Sequence, residues 1–205
     1  AGISDSLPAR PDSPVLRVAI ATVISPRESF VYYRDLFDYL SEKLGYSIEF
    51  RQRNTYEELN ELLAQNQIDV AFVCAGAYIE GSDYAELLVV PEINGLTYYQ
   101  AYVIANDQSS ILRFQDFYGK RFTYADPMCY TGKLYIDNKL RDMGQDAETF
   151  FSEILYSYSH DVSIQMVSRN LVDGASVNGL IFEYLEVFQP AFVSNVRIIE
   201  KSPHM

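Results

Sequence analysis

Residues 15–23, "VLRVAIATV", form a near-continuous apolar run, the pattern of a strand buried on both faces. The period then changes. In "SPRESFVYYRDLFDYLSEKLG" (25–45), Phe30, Tyr33, Phe37, Leu40 and Leu44 share one helical stripe, and Gly45 supplies the stop. "YSIEFRQR" (46–53) alternates like a strand. "TYEELNELLAQNQ" (55–67) begins on Thr55 with Glu58 three residues later, a capping-box pattern ahead of Leu59, Leu62 and Leu63. "IDVAFVCAG" (68–76) predicts another buried strand. Strand, helix, strand, helix, strand is the order of an open parallel α/β sheet.

After two extended stretches predicted around Asn94-Gly95 (86–106), the same order restarts. "GKRFTYADP" predicts a strand and turn, "TGKLYIDNKLRDMG" a helix ending at Gly144, "AETFFSEI" a shorter helix, and "LYSYS" an extended stretch. "HDVSIQMVSRN" predicts a helix capped by Ser159, followed by the strand-like "LVDGASVNG" and the helical "LIFEYLEVF". The expectation is an α/β protein of two lobes, 15–97 and 98–205, each an α/β sandwich, with a ligand cleft between them. Residues 1–14, polar and punctuated by proline, are expected to be a flexible leader.

Composition narrows the partners. A formal net charge of −12 without a basic block argues against nucleic acid and anionic membranes, but not against a small anion held by backbone N–H groups. No segment approaches the roughly 18 apolar residues of a membrane span. Cys74 and Cys129 match no zinc or C-x-x-C spacing, and no Gly-rich phosphate loop, nucleophile elbow, His/Glu metal pair or tandem repeat is visible; no cofactor is implied.

In such a sheet, ligands bind beyond the carboxyl ends of the strands. The residues just after them are Ser25-Pro26, Thr55-Tyr56, Cys74 to Tyr78 with Gly76 between, Cys129-Tyr130-Thr131-Gly132, Ser159-His160 and Asn178-Gly179. Hydroxyls, small residues and one imidazole, without lysine or arginine, suit a small oxyanion gripped by N–H and O–H donors. Thr131 is also expected to cap its own helix. An enzyme using His160 as base, with Asp161 or Cys129 as nucleophile, is disfavoured because neighbouring helical side chains diverge.

"YADPMCYTG", "YSYSHDVSIQMVSRNLVDGASVNGLIFEYL", "YEELNELLAQNQIDVAFVCAGAYI" and "YYQAYVIAN" together resemble the phosphate, phosphite and phosphonate-binding proteins of ABC importers, from about Val15 onward. The resemblance implies a periplasmic or extracytoplasmic, non-enzymatic protein with the type II periplasmic-binding-protein fold. It implies an oxyanion held by a Ser-Thr-Ser-Gly turn after Asp-Pro, by tyrosines of the facing lobe, and by the His of a Ser-His-Asp helix start. The matching positions are Cys129, Tyr130, Thr131 and Gly132; Tyr56 and Tyr98 or Tyr99; and His160.

Two departures bear on selectivity. Cys and Tyr replace the first two hydroxyl positions of the turn, and a thiol is a poor donor. Asn178 stands where aminophosphonate binders of the family carry an amine-pairing Asp, which disfavours an aminophosphonate here. The implied partners are a small anionic ligand and a membrane permease. The sensor modules of membrane histidine kinases are similar too, so a kinase, or a ligand-free or non-phosphorus-ligand sensor domain, is the alternative. The family's C-terminal closing segment is expected to be absent, and a Cys74–Cys129 disulfide latch is a side expectation.

Overall fold

A computed structural model of the chain describes residues 13–21, 23, 24 and 26–205, with side chains from residue 33 within the first helix. The expected leader, apart from Ser13 and Pro14, lies outside the described residues, as do Ser25 and the Phe30 side chain. The chain folds as two compact units, one through Glu86 and one from Leu87.

In the first unit, β1 (Val15–Ile20) lies between β2 (Ser47–Gln52) and β3 (Val70–Phe72), all parallel. Helices α1 (Pro26–Leu44), α2 (Tyr56–Ala64) and α3 (Ala75–Gly81) follow the three strands in turn. Val18, Ile20, Phe37 and Ile48 form the core, with Tyr33 and Leu40 of the α1 stripe packed against it, whereas Leu44 at the end of the stripe is exposed. The strand predicted over 68–76 is cut to three residues. The small residues of "CAG" enter α3 instead, with Cys74 as its N-cap.

Helix α2 starts at the predicted N-cap, Thr55, although the Glu58 carboxylate reaches back one residue further than a capping box requires. The Glu58 N–H donates to Thr55 Oγ1 at 3.1 Å, and Glu58 Oε2 accepts the Asn54 N–H at 3.0 Å. Thr55→Ala, which orphans a helix N–H, is expected to cost about 1 kcal/mol in urea denaturation, with Thr55→Ser nearly silent.

The second unit holds a five-stranded sheet in the order β6 (Glu153–Tyr156), β5 (Arg121–Tyr124), β7 (Gly174–Asn178), β4 (Ala101–Asn106), β8 (Val196–Lys201). β5 runs parallel to β6 and β7, whereas β4 runs antiparallel to β7 and β8. Consecutive β4 residues serve opposite faces. Val103 and Ala105 pack with Phe122, Ile136 of α4 (Tyr135–Asp142) and Phe150 of α5 (Ala147–Phe150). Tyr102 and Ile104 pack with Ile164 of α6 (His160–Ser168) and Phe182 of α7 (Gly179–Phe188). A strand covered on both sides reads as unbroken apolar sequence, which explains "AYVIAN". Gly174 is required by packing: a Cβ there would lie 2.1 Å from the Phe117 ring.

Only Ala101–Asn106 of the predicted 86–106 stretches becomes a strand. Leu87–Val90 is exposed, Val89 to 82%, and Ile93 and Leu96 merely bridge across the Asn94-Gly95 turn.

The restart of the element order expected from the sequence extends to individual residues at a constant offset. Tyr56–Ala64 and His160–Ser168 are both nine-residue helices, 104 residues apart, and the starts of α3 and α7 keep that offset. Arg17 pairs with Asp69 and Arg121 with Asp173, each across 52 residues. Asn66 and Asn170 both adopt positive φ (53° and 57°), and their carbonyls accept from Arg17 and Arg121 respectively. Asparagine tolerates that conformation better than most residues. These half-exposed pairs are positional devices, since ion pairs of this kind contribute little stability.

Candidate functional site

The carboxyl ends of β5, β6 and β7 open onto one edge of the second unit's sheet, and each leads into a turn or a helix start. After β5, the buried Asp126 organises the turn: its Oδ1 accepts the Met128 N–H at 2.8 Å and its carbonyl accepts the Cys129 N–H at 3.0 Å. The helix that follows begins with a π-helical turn, Tyr130–Leu134, continuous with α4. Its N-cap is Cys129, not Thr131 as expected. The Gly132 N–H donates to Cys129 Sγ at 3.2 Å, so sulfur takes the capping role of a hydroxyl. Both the Lys133 and Leu134 N–H groups donate to the Cys129 carbonyl, which widens the turn. Gly132 is needed at this close approach: a Cβ would stand 3.0 Å from Cys129 Sγ and 3.2 Å from Ala125 Cβ.

Thr131, relieved of capping, is 2% exposed. Its carbonyl accepts from Ser176 Oγ on β7 at 2.5 Å, pinning the turn to the neighbouring strand. Its hydroxyl lies 3.7 Å from Cys129 Sγ. After β6, the Ser157 N–H donates to the Tyr124 carbonyl at 2.9 Å, tying this turn to β5. Ser159 occupies the N-cap of α6, but its hydroxyl donates to Asp161 and caps no helix N–H.

His160, the first residue of α6, is 1% exposed, and burial lowers its pKa to about 3, so the ring is neutral. Its Nδ1 accepts the Asn178 backbone N–H at 3.2 Å, which places the ring proton on Nε2, 3.5 Å from Cys129 Sγ. The only lone pair of the imidazole is therefore occupied, and His160 has no free site with which to act as a base. Asn178 caps α7, its Oδ1 accepting the Leu180 N–H at 2.9 Å.

The structure thus brings together Cys129, Thr131, Gly132, Ser159, His160 and Asn178 on one sheet edge. Tyr130 is half-buried on the same turn. Tyr98 and Tyr99 belong to this second unit: Tyr98 is exposed against His204, and Tyr99 pairs through its backbone with Met205. Tyr56, Cys74, Gly76 and Tyr78 lie in the first unit, at the corresponding strand ends. The duplication matches Tyr56 with His160 and Cys74 with Asn178. Both cysteines are free thiols, Cys129 buried and Cys74 half-buried. Sequence reasoning missed Asp126, Ser157 and Ser176; only the Asp-Pro turn signal pointed to the first.

The match to known proteins follows this geometry. The model of the ABC transporter, phosphonate, periplasmic substrate-binding protein family matches residues 18–205. The chain belongs to that family. It is 30% identical over 109 residues to the phosphate-import protein PhnD of Mycolicibacterium smegmatis, a stretch covering 50% of this chain and 34% of that protein. A binding protein component of an ABC phosphonate transporter from Pseudomonas aeruginosa superposes with a TM-score of 0.88 at 24% identity, over 95% of this chain and 67% of the other. PhnD1 of Prochlorococcus marinus, solved with methylphosphonate, gives 0.83 at 16% identity over 93% and 73%.

That family consists of periplasmic substrate-binding proteins of ABC transporters, and the solved structures share the type II fold expected from the sequence. Among the described residues no helix is long and apolar enough to cross a membrane, and no group of three or more His, Cys, Asp or Glu could hold a metal ion.

Proposed function

We propose that the chain is the solute-binding part of an ABC importer, holding a small phosphorus oxyanion, a phosphonate or phosphate, and delivering it to a membrane permease. The observation that supports this most directly is the set of donors at the carboxyl ends of β5, β6 and β7. Thr131 contributes a hydroxyl and α6 an N-terminus without a side-chain cap, backed by a neutral His160 whose Nδ1 is held by the Asn178 N–H and whose Nε2–H is directed at Cys129 Sγ. Such an array stabilises negative charge without a cation. Tyr98, Tyr99 and Tyr130 of the second unit, and Tyr56, Cys74, Gly76 and Tyr78 of the first, are candidates by family resemblance alone. The family description supports the importer over a kinase-coupled or ligand-free sensor.

Thermal and urea unfolding against phosphate, phosphite, methylphosphonate, aminoethylphosphonate and sulfate tests the reading. The preferred anion at a hundred times its Kd is expected to add about 2.7 kcal/mol. Thr131→Val is expected to weaken it by about 1.5–3 kcal/mol, the range for a hydrogen bond to a charged group. Aminoethylphosphonate is expected to bind less well than methylphosphonate, because Asn178 offers an amide already engaged as a helix cap and no counter-charge for the amine. Absence of stabilisation by every phosphorus anion would refute the function.

A further inference from the structure

The hydrogen bonds that reach Cys129 Sγ from His160 and Gly132 have a polarity that can be followed from the backbone outward. The Asn178 N–H can only donate, so Nδ1 of His160 is the acceptor nitrogen. The neutral ring then carries its proton on Nε2 and donates toward Cys129 Sγ at 3.5 Å. The Gly132 N–H donates to the same sulfur at 3.2 Å. Two donors therefore already point at Sγ, while Thr131 Oγ1, 3.7 Å away, is a neighbour able to accept the thiol's own hydrogen. If it accepts there, the hydroxyl proton of Thr131 is turned away from the sulfur.

We propose that Cys129 is a positioning residue, the middle of a directional relay from the Asn178 backbone through His160 and the thiol to Thr131, which holds the Thr131 hydroxyl as a donor toward the bound anion. The inference rests on the reading of Thr131 as a ligand contact. It assigns the cysteine a role at one remove from the ligand. It also accounts for a residue with a weak S–H at a position where direct donation would favour a hydroxyl: the sulfur needs only to accept two bonds and orient a third.

The experiment has two arms. In the first, methylphosphonate and inorganic phosphate are titrated calorimetrically into the wild type, Cys129→Ala, Cys129→Ser, Thr131→Val and the Cys129→Ala/Thr131→Val double variant. Cys129→Ala is expected to weaken binding about tenfold, the effect of one misdirected hydrogen bond. Cys129→Ser, whose hydroxyl can both accept and donate, is expected to stay within about threefold of wild type. In the Thr131→Val background, Cys129→Ala is expected to cost almost nothing further, since the group it acts through is gone. Additive losses, or unchanged affinity in Cys129→Ala, would overturn the relay while leaving the anion site intact. Wild-type affinity in Thr131→Val would overturn the ligand contact itself.

The second arm needs no ligand. The S–H stretching band of Cys129, isolated as the difference between wild-type and Cys129→Ala vibrational spectra, lies at lower frequency when the thiol donates a hydrogen bond. It is expected to rise in Thr131→Val, which is isosteric and accepts nothing. A band that does not move overturns the relay, whichever anion binds.

Discussion

Acidification from pH 6.5 to pH 4 is expected to cost about 1.4 kcal/mol of stability per pH unit through His160 alone. The unfolded chain carries an ordinary histidine near pKa 6.5, whereas burial holds the folded one at about 3. Between those values the unfolded state binds one more proton. The contribution is fully present above about pH 6.5, declines as pH falls, and is exhausted near pH 3. Asp69, lowered by its hydrogen bonds from Arg17, and Asp116, lowered by the Leu112 N–H, titrate below the usual carboxylate range. Their losses begin at more acid pH and do not overlap the upper part of the window. Urea denaturation at half-unit steps separates the terms. In His160→Asn, whose amide oxygen can take over the Asn178 N–H, the slope between pH 6.5 and 4 should flatten. Equal slopes in both proteins would show that the ring titrates normally in the fold.

Phe122→Ala is expected to destabilise the second unit by about 3–5 kcal/mol. Phe122 is fully buried on β5, stacked on Phe151 at 4.4 Å between ring centroids and edge-on to Phe117 at 5.3 Å and Tyr124 at 5.6 Å. Its neighbours cannot collapse into the space. Phe117 is held over Gly174, and Tyr124 is fixed in a strand whose carbonyl anchors Ser157. The strand carrying Phe122 also delivers the Asp126 turn, so loss of packing should reach the site. Hydrogen exchange is the suitable readout because it reports each unit separately. Protection of β5 and β7 amides should fall sharply while β1 amides stay as in wild type. Phe122→Leu should lose only roughly 1 kcal/mol, since most of the volume is retained. Comparable losses in the two variants would show that the ring cluster is not the main support of the sheet.

The sequence reading and the structure part company where local and distant partners compete. Thr131 has the side chain of an N-cap, yet Cys129 takes the position, because a π-helical turn starts the helix earlier. Ser159 was expected to cap α6 and occupies that position, but its hydroxyl turns to Asp161. The "ELLVV" run has strand composition, yet Leu87–Val90 pairs with nothing regular among the described residues. In each case the residue type restricted the options without selecting one. The order of elements shows the repetition in the sequence but its residue-level register does not, because only a few positions of each unit, the Arg, Asn and Asp of one tie among them, are held by the same local requirement. The remaining positions need only be apolar or polar.

From the sequence alone came the α/β order of elements, the apolar run of β1, the N-cap at Thr55 and the family, since these depend on periodicity and short motifs carried by neighbouring residues; the burial predicted for the third strand did not follow, its three residues being half-buried or exposed. The placement of candidate chemistry after the strands also followed, because an α/β sheet gathers its loops at one edge. Only the tertiary structure decided how that chemistry is wired. Asn178 is 18 residues from His160, Ser176 is 45 from Thr131, and His160 is 31 from Cys129. No local pattern encodes which of these donates and which accepts. The tautomer of His160 is set by a backbone N–H on another strand end, and its loss of charge by complete burial. Both are properties of packing, and they decide what the site can hold.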